Sequence, residues 1–206
     1  MKTLLVKYTP REERSNSKKL LDAFKNEIRN SEIEVLDLCN DVPDLFNVES
    51  MNAYIRRNYL KEEISNEQKK SMEKMDHMTR QMKSADIVVV AFPMHNFSMP
   101  ATVKAWFDSI MLKGQTWDVV DGKYSGLMNG KKALVIVSSG GFYASGPMVN
   151  WEHALSLTKM EFQFMGFSDI RGILNEGMNA GNEAQSTNIK KSFDEVKKIA
   201  AEWYGN

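Results

Sequence analysis

The chain has 206 residues, and 27 Lys and Arg balance 27 Asp and Glu, so the formal net charge is zero. With 42% hydrophobic and 26% charged residues, the composition is that of a globular protein, which excludes disordered, collagen-like and low-complexity fibrous chains. The balanced charge provides no bulk basic surface for nucleic acid and no strongly acidic surface for basic partners. We therefore expect one globular domain spanning 1–206 that does not bind nucleic acid.

Cysteine content and hydropathy limit the cellular compartments and covalent or metal cross-links that we expect for this chain. Cys39 is the single cysteine, so neither an intramolecular disulfide nor a thiolate zinc site is expected, which is consistent with a cytoplasmic protein. No stretch approaches the ~18 apolar residues that cross a bilayer. The apolar run at residues 4–6 ends at Lys7, which is unlike a signal peptide. We expect no membrane association.

The first half of the chain begins with strand, helix and strand patterns. Residues 2–8 predict a buried strand, residues 17–29 an amphipathic helix, and residues 32–38 a second strand. A long, polar helical excursion follows at about residues 48–82.

Four methionines of this excursion recur at helical spacing: Met72, Met75, Met78 and Met82. This spacing puts them on one helix face. The face is expected to pack on the sheet or on a partner subunit, with a methionine-lined ligand groove as the alternative.

The second half continues the alternation. Strands are predicted at residues 84–92, 132–137 and 169–174, and helices at 100–112, 148–165 and 186–204. Five strands with helices between them predict right-handed crossovers and a parallel sheet covered on both faces. The α/β fold expected is a three-layer sandwich with sheet order 2-1-3-4-5. Ligands of such sheets bind beyond the carboxyl ends of the strands, so the loops that follow the strands are the candidate sites.

The loop after the first strand contains no dinucleotide or P-loop glycine motif. It carries Ser15, Asn16 and Ser17 just before a helix. Their side-chain donors, with the free N–H groups and positive dipole end of the helix, suit a phosphate. The alternative is that Ser15 or Ser17 only caps the helix.

The loop after the third strand is bracketed by Pro93 and Pro100. It holds large side chains where a structural turn is normally small and polar. Such a loop can lay backbone amides along a flat heterocycle, with Asn96 bonding the polar end of the ring. A metal role for His95 is disfavoured, because His77 and His153 show no metal-ligand spacing to it.

The loop after the fourth strand places Gly140 and Gly141 at a strand end, where glycines allow a ligand close to the backbone. A plain turn is the alternative. The loops after the first, third and fourth strands adjoin in the expected sheet, so together they describe one ligand with a phosphate end and a heterocycle end.

These residues resemble those of the FMN-dependent NADH-azoreductases, in the flavodoxin-like quinone reductase superfamily, over essentially the whole chain. Thr9 and the triplet at 15–17 match a hydroxyl residue followed by a Ser-Gln-Ser-like triplet, with Asn16 in place of Gln. Residues 93–97 match Pro-Met-Tyr-Asn-Phe, residues 138–141 match Ser-Arg-Gly-Gly, and residues 114–117 resemble Gly-x-Thr-Phe. His95, Ser139 and Tyr143 depart from the family pattern, which leaves substrate preference and the choice between NADH and NADPH open.

The resemblance implies a flavodoxin-like fold that binds FMN. The implied cofactor-binding residues are Thr9, Ser15, Asn16, Ser17, Pro93, Met94, His95, Asn96, Phe97, Ser138, Ser139, Gly140 and Gly141. The implied walls of the substrate pocket are Trp117, Phe142 and Tyr143, with His95 beside them. Because the flavin carries the chemistry, no catalytic acid or base and no metal are expected.

The implied reaction is a ping-pong cycle. NADH or NADPH reduces the flavin and leaves, and a small planar acceptor such as a quinone or an azo compound then receives two electrons. Family members are usually homodimers, so the excursion at residues 48–82 could reach over the flavin of the partner. Two alternatives from other classes stay open: a flavodoxin-type electron carrier, and a flavin-free structural derivative of the fold.

Overall fold

The computed structural model describes residues 1–205, so only the last position of the predicted domain 1–206 lies outside the described residues. Its central sheet has five parallel strands in the order β2-β1-β3-β6-β7, which confirms the predicted topology. The strands are β1 (Lys2–Lys7), β2 (Glu32–Asp37), β3 (Ile87–Pro93), β6 (Lys132–Ser138) and β7 (Asp169–Asn175). In β3, the first six side chains are buried, because helices cover the sheet on both faces.

Two helices cover one face of the sheet and three cover the other. α1 (Asn16–Glu27) and α7 (Asn182–Tyr204) pack on the first face around Phe24 and Trp203. α4 (Glu73–Ser84), α5 (Ala101–Ile110) and α6 (Leu155–Phe164) cover the second. The two hydrophobic layers hold the strands in one register, and that register sets where the connecting loops emerge.

The predicted helical excursion is built from several pieces. α2 (Val48–Tyr54) continues into a π-helical turn (Ile55–Leu60), and α3 (Asn66–Ser71) precedes α4. All four methionines of the predicted face are fully buried within the chain. Met78 and Met82 pack in the sheet core, whereas Met72 and Met75 join a small cluster that ties α2 to the rest of the fold. The face is therefore core packing, as the first of the two interpretations expected.

A two-stranded antiparallel hairpin, which the sequence analysis did not predict, follows α5. Its strands are β4 (Trp117–Val120) and β5 (Lys123–Gly126). The turn holds Asp121 and Gly122, both with positive φ. An Asp-Gly pair between β-branched and aromatic residues is a strong hairpin signal, so the sequence contained the information.

The predicted helix at residues 148–165 is wrong in its first part. A single 3₁₀ turn occupies Val149–Trp151, and α6 begins only at Leu155. The Glu152 carboxylate accepts hydrogen bonds from the N–H groups of Ala154, Leu155 and Ser156, and so satisfies the helix start at that point. The last helix, α7, starts at Asn182, earlier than the predicted residue 186.

Among the described residues, no helix combines the length and apolar character needed to span a bilayer.

Candidate functional site

The carboxyl ends of four strands bring the candidate loops together. Pro93 at the end of β3 is paired with Ser138 at the end of β6, and Ser138 is paired with Asn175 at the end of β7. Adjacent strands lie about 4.8 Å apart, so these loops emerge side by side. The N–H of Met94 donates to the carbonyl of Ser138 at 2.8 Å, which ties the second and third candidate loops to each other.

The loop after β1 leads directly into the N-terminus of α1. Ser15 is the N-cap, and its hydroxyl accepts a hydrogen bond from the N–H of Lys18. Ser17 is fully buried, and its hydroxyl has no hydrogen-bond partner among the described residues. The first N–H groups of a helix lack intrahelical acceptors. An unpaired hydroxyl beside such N–H groups is a donor set that suits a phosphate.

A cavity of about 240 Å³ opens above this helix start. Its walls come from the loops after β1, β3, β6 and β7. The lining residues are Pro10, Arg11, Ser15, Asn16, Ser17, Pro93, Met94, His95, Ser138, Ser139, Gly140, Met178 and Asn179. The structure thus brings most of the predicted cofactor residues together around one space.

Four of the lining residues were missed by the sequence analysis: Pro10, Arg11, Met178 and Asn179. Met178 and Asn179 follow β7, and the rule that ligands bind beyond strand ends applied to that strand too. Arg11 is exposed and is the one cation among the lining residues, so it adds positive charge beside the helix start.

The loop after β3 forms a tight reverse turn. The N–H of His95 donates to the carbonyl of Ser98 at 2.9 Å, and the N–H of Ser98 donates back to His95 at 3.0 Å. Asn96 and Phe97 between them have φ values of +47° and +73°. Two central residues with positive φ define a type I′ turn, and a bulky side chain there is rare. The backbone is therefore strained where the side chains of this loop face solvent.

A second cavity of about 230 Å³ adjoins the first and shares Met94 and Gly140 with it. Asn96, Phe97 and Tyr143 complete its lining. The rings of Phe97 and Tyr143 meet edge-on, with centroids 6.2 Å apart. This slot therefore combines an aromatic surface, on which a planar molecule can stack, with polar groups of Asn96 and the loop backbone.

The structure separates some predicted site residues from these two cavities. Thr9 is buried and lines a neighbouring cleft, which shares Pro10 with the first cavity. Gly141 lies under the ring of Tyr143. Phe142 lines a different cleft, at the start of α7.

Trp117 lies in the hairpin, where its indole N–H donates to the carbonyl of Met111 and its ring packs on Tyr124 and Phe164. Neither Trp117 nor Phe142 lines the two cavities that this chain forms by itself. Their role as walls of a substrate pocket stays a prediction.

Within residues 1–205, no cluster of three or more His, Cys, Asp or Glu side chains is arranged to hold a metal ion.

Comparison with known proteins places this geometry in context. Residues 1–200 match a family described by its flavodoxin-like fold. A protein of Azotobacter vinelandii named FMN-dependent NADH:quinone oxidoreductase is 28% identical over 203 residues, covering 97% of this chain and 99% of its own. A Bacillus licheniformis protein named FMN-dependent NADH:quinone oxidoreductase 1 is 32% identical over 205 residues, covering 97% and 98%.

A solved structure is also similar to this chain over nearly its whole length. The crystal structure of an FMN-dependent NADH-azoreductase from Bacillus anthracis, in complex with FMN, superposes with a TM-score of 0.87 at 27% identity. The match covers 98% of this chain and 99% of that one.

Proposed function

Because the chain belongs to the family with the flavodoxin-like fold, we propose that it is an FMN-dependent NAD(P)H oxidoreductase that reduces quinones, aromatic azo compounds or both. The names of its full-length relatives support FMN as cofactor, NADH as electron donor and quinones as acceptors. The observation in the structure that carries the proposal is the buried, unpaired hydroxyl of Ser17 at the start of α1, inside a cavity that four strand-end loops enclose.

The donor set fits FMN. Ser15, Asn16 and Ser17, with the N-terminus of α1, would hold the phosphate, and the Arg11 guanidinium would balance part of its charge. The loops at residues 93–97 and 138–141 would hold the ring through backbone amides, which do not depend on side-chain identity. This is why the departures at His95 and Ser139 are compatible with flavin binding.

When bound, FMN supplies the redox chemistry by accepting a hydride from NAD(P)H and passing two electrons to an acceptor. The contribution of the chain is to position the reactants. In the slot, the Phe97 and Tyr143 rings and Met94 offer stacking surface, and Asn96 adds an amide that can bond the polar groups of a reactant. We propose that donor and acceptor occupy this slot in turn, so the kinetics are ping-pong and the acceptor specificity is broad.

We further propose that the protein is a cytoplasmic homodimer. Val48, Met51 and Ile55 of the α2 region and the neighbouring Tyr59 are exposed apolar residues at helical spacing. Such a stripe is typical of a protein interface. A second copy on this stripe would bring the excursion at residues 48–82 towards the partner's flavin. Sedimentation at micromolar concentration is expected to give a dimer, and a monomer would contradict this part of the proposal.

Steady-state kinetics distinguish the proposed enzyme from a carrier. The protein is purified, saturated with FMN and assayed for NADH oxidation with menadione or an azo dye as acceptor. Sustained turnover with parallel double-reciprocal lines is the expected result. A flavodoxin-type carrier would bind the flavin and turn over negligibly, and a flavin-free derivative would show no flavin absorption even after FMN is added.

A further inference from the structure

The loop after β6 has two parts that are held in different ways. Its first part, residues 139–141, is bound by main-chain hydrogen bonds to the segment after β7. The N–H groups of Gly177, Met178 and Asn179 donate to the carbonyls of Gly141, Ser139 and Gly140 at 2.9–3.0 Å. This part needs no particular side chain from the neighbouring segment.

The second part, which begins at Tyr143, is hydrogen-bonded to the end of β7 through one side chain. The N–H of Tyr143 and the N–H of Ala144 both donate to the same oxygen, Oε2 of Glu176, at 2.6 and 2.8 Å. Hydrogen bonds to a charged acceptor are shorter and stronger than neutral ones. The backbone carbonyl of Glu176 accepts a hydrogen bond at 3.0 Å from the side-chain amide of Asn188, which anchors the Glu176 backbone to α7.

Charge pairing does not account for Glu176. It is half-buried, and none of the ion pairs found among the described residues includes it. The described contacts of its carboxylate are the two N–H groups of the loop. The geometry is that of a clip between the end of β7 and the loop with the aromatic residue.

The next residue completes the clip. Gly177 has φ of +73°, and a Cβ at this position would lie 2.6 Å from the ring of Phe142. Phe142 therefore sits against the Gly177 backbone, just before the two N–H groups that Glu176 binds. The pair Glu176–Gly177 thus holds both aromatic residues of the loop.

We propose that Glu176 is a positioning residue for the substrate slot: by binding the Tyr143 and Ala144 N–H groups, it sets the place of the Tyr143 ring opposite Phe97. The inference rests on the proposed function, because the slot is where donor and acceptor are expected to stack. It assigns Glu176 no contact with substrate or flavin. The phosphate end of the cavity and residues 139–141 are held independently of it.

The test uses the FMN-loaded enzyme with Glu176→Ala and Glu176→Gln. An amide oxygen can accept both N–H bonds, so Gln keeps the clip and removes only the charge. In Glu176→Ala, the KM values for acceptor and NADH are expected to rise about tenfold, because the Tyr143 ring is no longer held in place and a well-placed aromatic contact contributes about that factor in affinity. The FMN Kd is expected to stay within about twofold, because the groups that hold FMN are intact. Glu176→Gln is expected to keep the KM values much closer to those of the wild type than to those of Glu176→Ala, with any small rise due to the weaker neutral hydrogen bonds.

Asp86→Ala is the matched control. Asp86 also accepts a main-chain N–H bond, from Lys2, but does so at the opposite end of the sheet, so its loss should leave both KM values unchanged.

The double variant Glu176→Ala with Tyr143→Leu should raise KM no further than Tyr143→Leu alone, since Glu176 acts through Tyr143. If Glu176→Ala does not fold, Glu176→Asp replaces it, because the shorter carboxylate cannot reach both N–H groups.

Unchanged KM values in Glu176→Ala, a Gln variant as impaired as the Ala variant, or additive losses in the double variant would overturn the inference. Wild-type protein that neither binds FMN nor oxidises NADH would instead overturn the proposed function, so the two failures are distinguishable.

Discussion

The ring of Phe97 meets the ring of Trp151 edge-on, with centroids 5.0 Å apart and planes at 84°, while the Phe97 backbone has φ of +73°. The N–H of His153 donates to the Phe97 carbonyl at 2.9 Å, so the segment before α6 fixes this residue through both side chain and backbone. Left-handed backbone is unfavourable for a side chain of this size. Packing against Trp151 therefore stabilises a turn that local preference opposes.

Comparing Phe97→Gly with Phe97→Ala isolates the backbone strain. Both variants lose the ring, but only glycine adopts the left-handed region without penalty. Phe97→Gly is expected to be more stable than Phe97→Ala by about 0.5–1 kcal/mol, after the larger unfolded-state entropy of glycine is subtracted. Urea unfolding of both variants measures the difference. An alanine variant equal to or more stable than the glycine variant would contradict the strain.

Asn16→Asp tests the phosphate end of the cavity. A carboxylate at the start of α1 would repel the phosphate, so the Kd for FMN is expected to rise by about tenfold or more. Binding of riboflavin, which has no phosphate, should change much less. Asn26→Asp provides the matched control, because it adds the same charge at an exposed position near the other end of α1. Equal effects on FMN and riboflavin would mean that the phosphate lies elsewhere.

Burial of the Glu161 carboxyl group should make the free energy of unfolding depend on pH. Glu161 on α6 is 6% exposed, its Oε2 has no hydrogen-bond partner among the described residues, and Lys104 lies 3.6 Å from its Oε1. Burial raises the pKa of Glu161 to about 7, and the opposing effect of Lys104, which Asp108 also engages, is smaller.

The folded state therefore holds this proton more tightly than the unfolded state, where the pKa is near 4.5. Its stabilising contribution is complete below pH 4.5 and is lost as the pH rises to about 7, by at most about 3 kcal/mol. In Glu161→Gln, the free energy of unfolding should vary less over this range and exceed that of the wild type at pH 8. The exposed Glu195→Gln is the control. A wild-type slope that survives in Glu161→Gln would show that another group causes it.

Because the hairpin packs closely on the end of α6, alanine substitutions at Gly126 and Gly122 are expected to lower the free energy of unfolding by different amounts. A Cβ on Gly126 would lie 2.3 Å from the Gly166 nitrogen, whereas a Cβ on Gly122 would meet nothing within 4 Å. Gly126→Ala is expected to lower the free energy of unfolding by about 2 kcal/mol or more, because two backbones must separate. Gly122→Ala should cost about 1 kcal/mol, through its positive φ of +75° alone. Chemical denaturation gives both values, and equal losses would argue against the tight contact.

Local patterns were enough to predict the layers and the candidate loops. The β-branched run of β3 and the apolar faces of α1 and α5 allow few arrangements, because a strand that is apolar on both sides must be covered on both sides. The same reasoning placed Ser17 and Gly140 at one edge of the sheet, where the structure finds them lining one cavity. The hairpin and the start of α6 were missed although both have local signals in the sequence. Asp121–Gly122 indicates a hairpin turn, and Glu152 can cap a helix that begins after it.

The sequence by itself determined the layers of the fold and the residue types that the carboxyl edge of the sheet presents, because periodicity and right-handed crossovers require a parallel sheet covered on both faces. Alternating strands and helices are compatible with more than one strand order, and the resemblance to the flavodoxin-like superfamily selected 2-1-3-4-5. Only the tertiary structure decided that Glu176 binds the loop of Tyr143 and that Asn179 lies in the cavity wall. It likewise decided that Trp117 packs on Phe164, away from the cavities. These contacts join residues tens of positions apart, and side-chain packing selects such pairs where no local pattern specifies them.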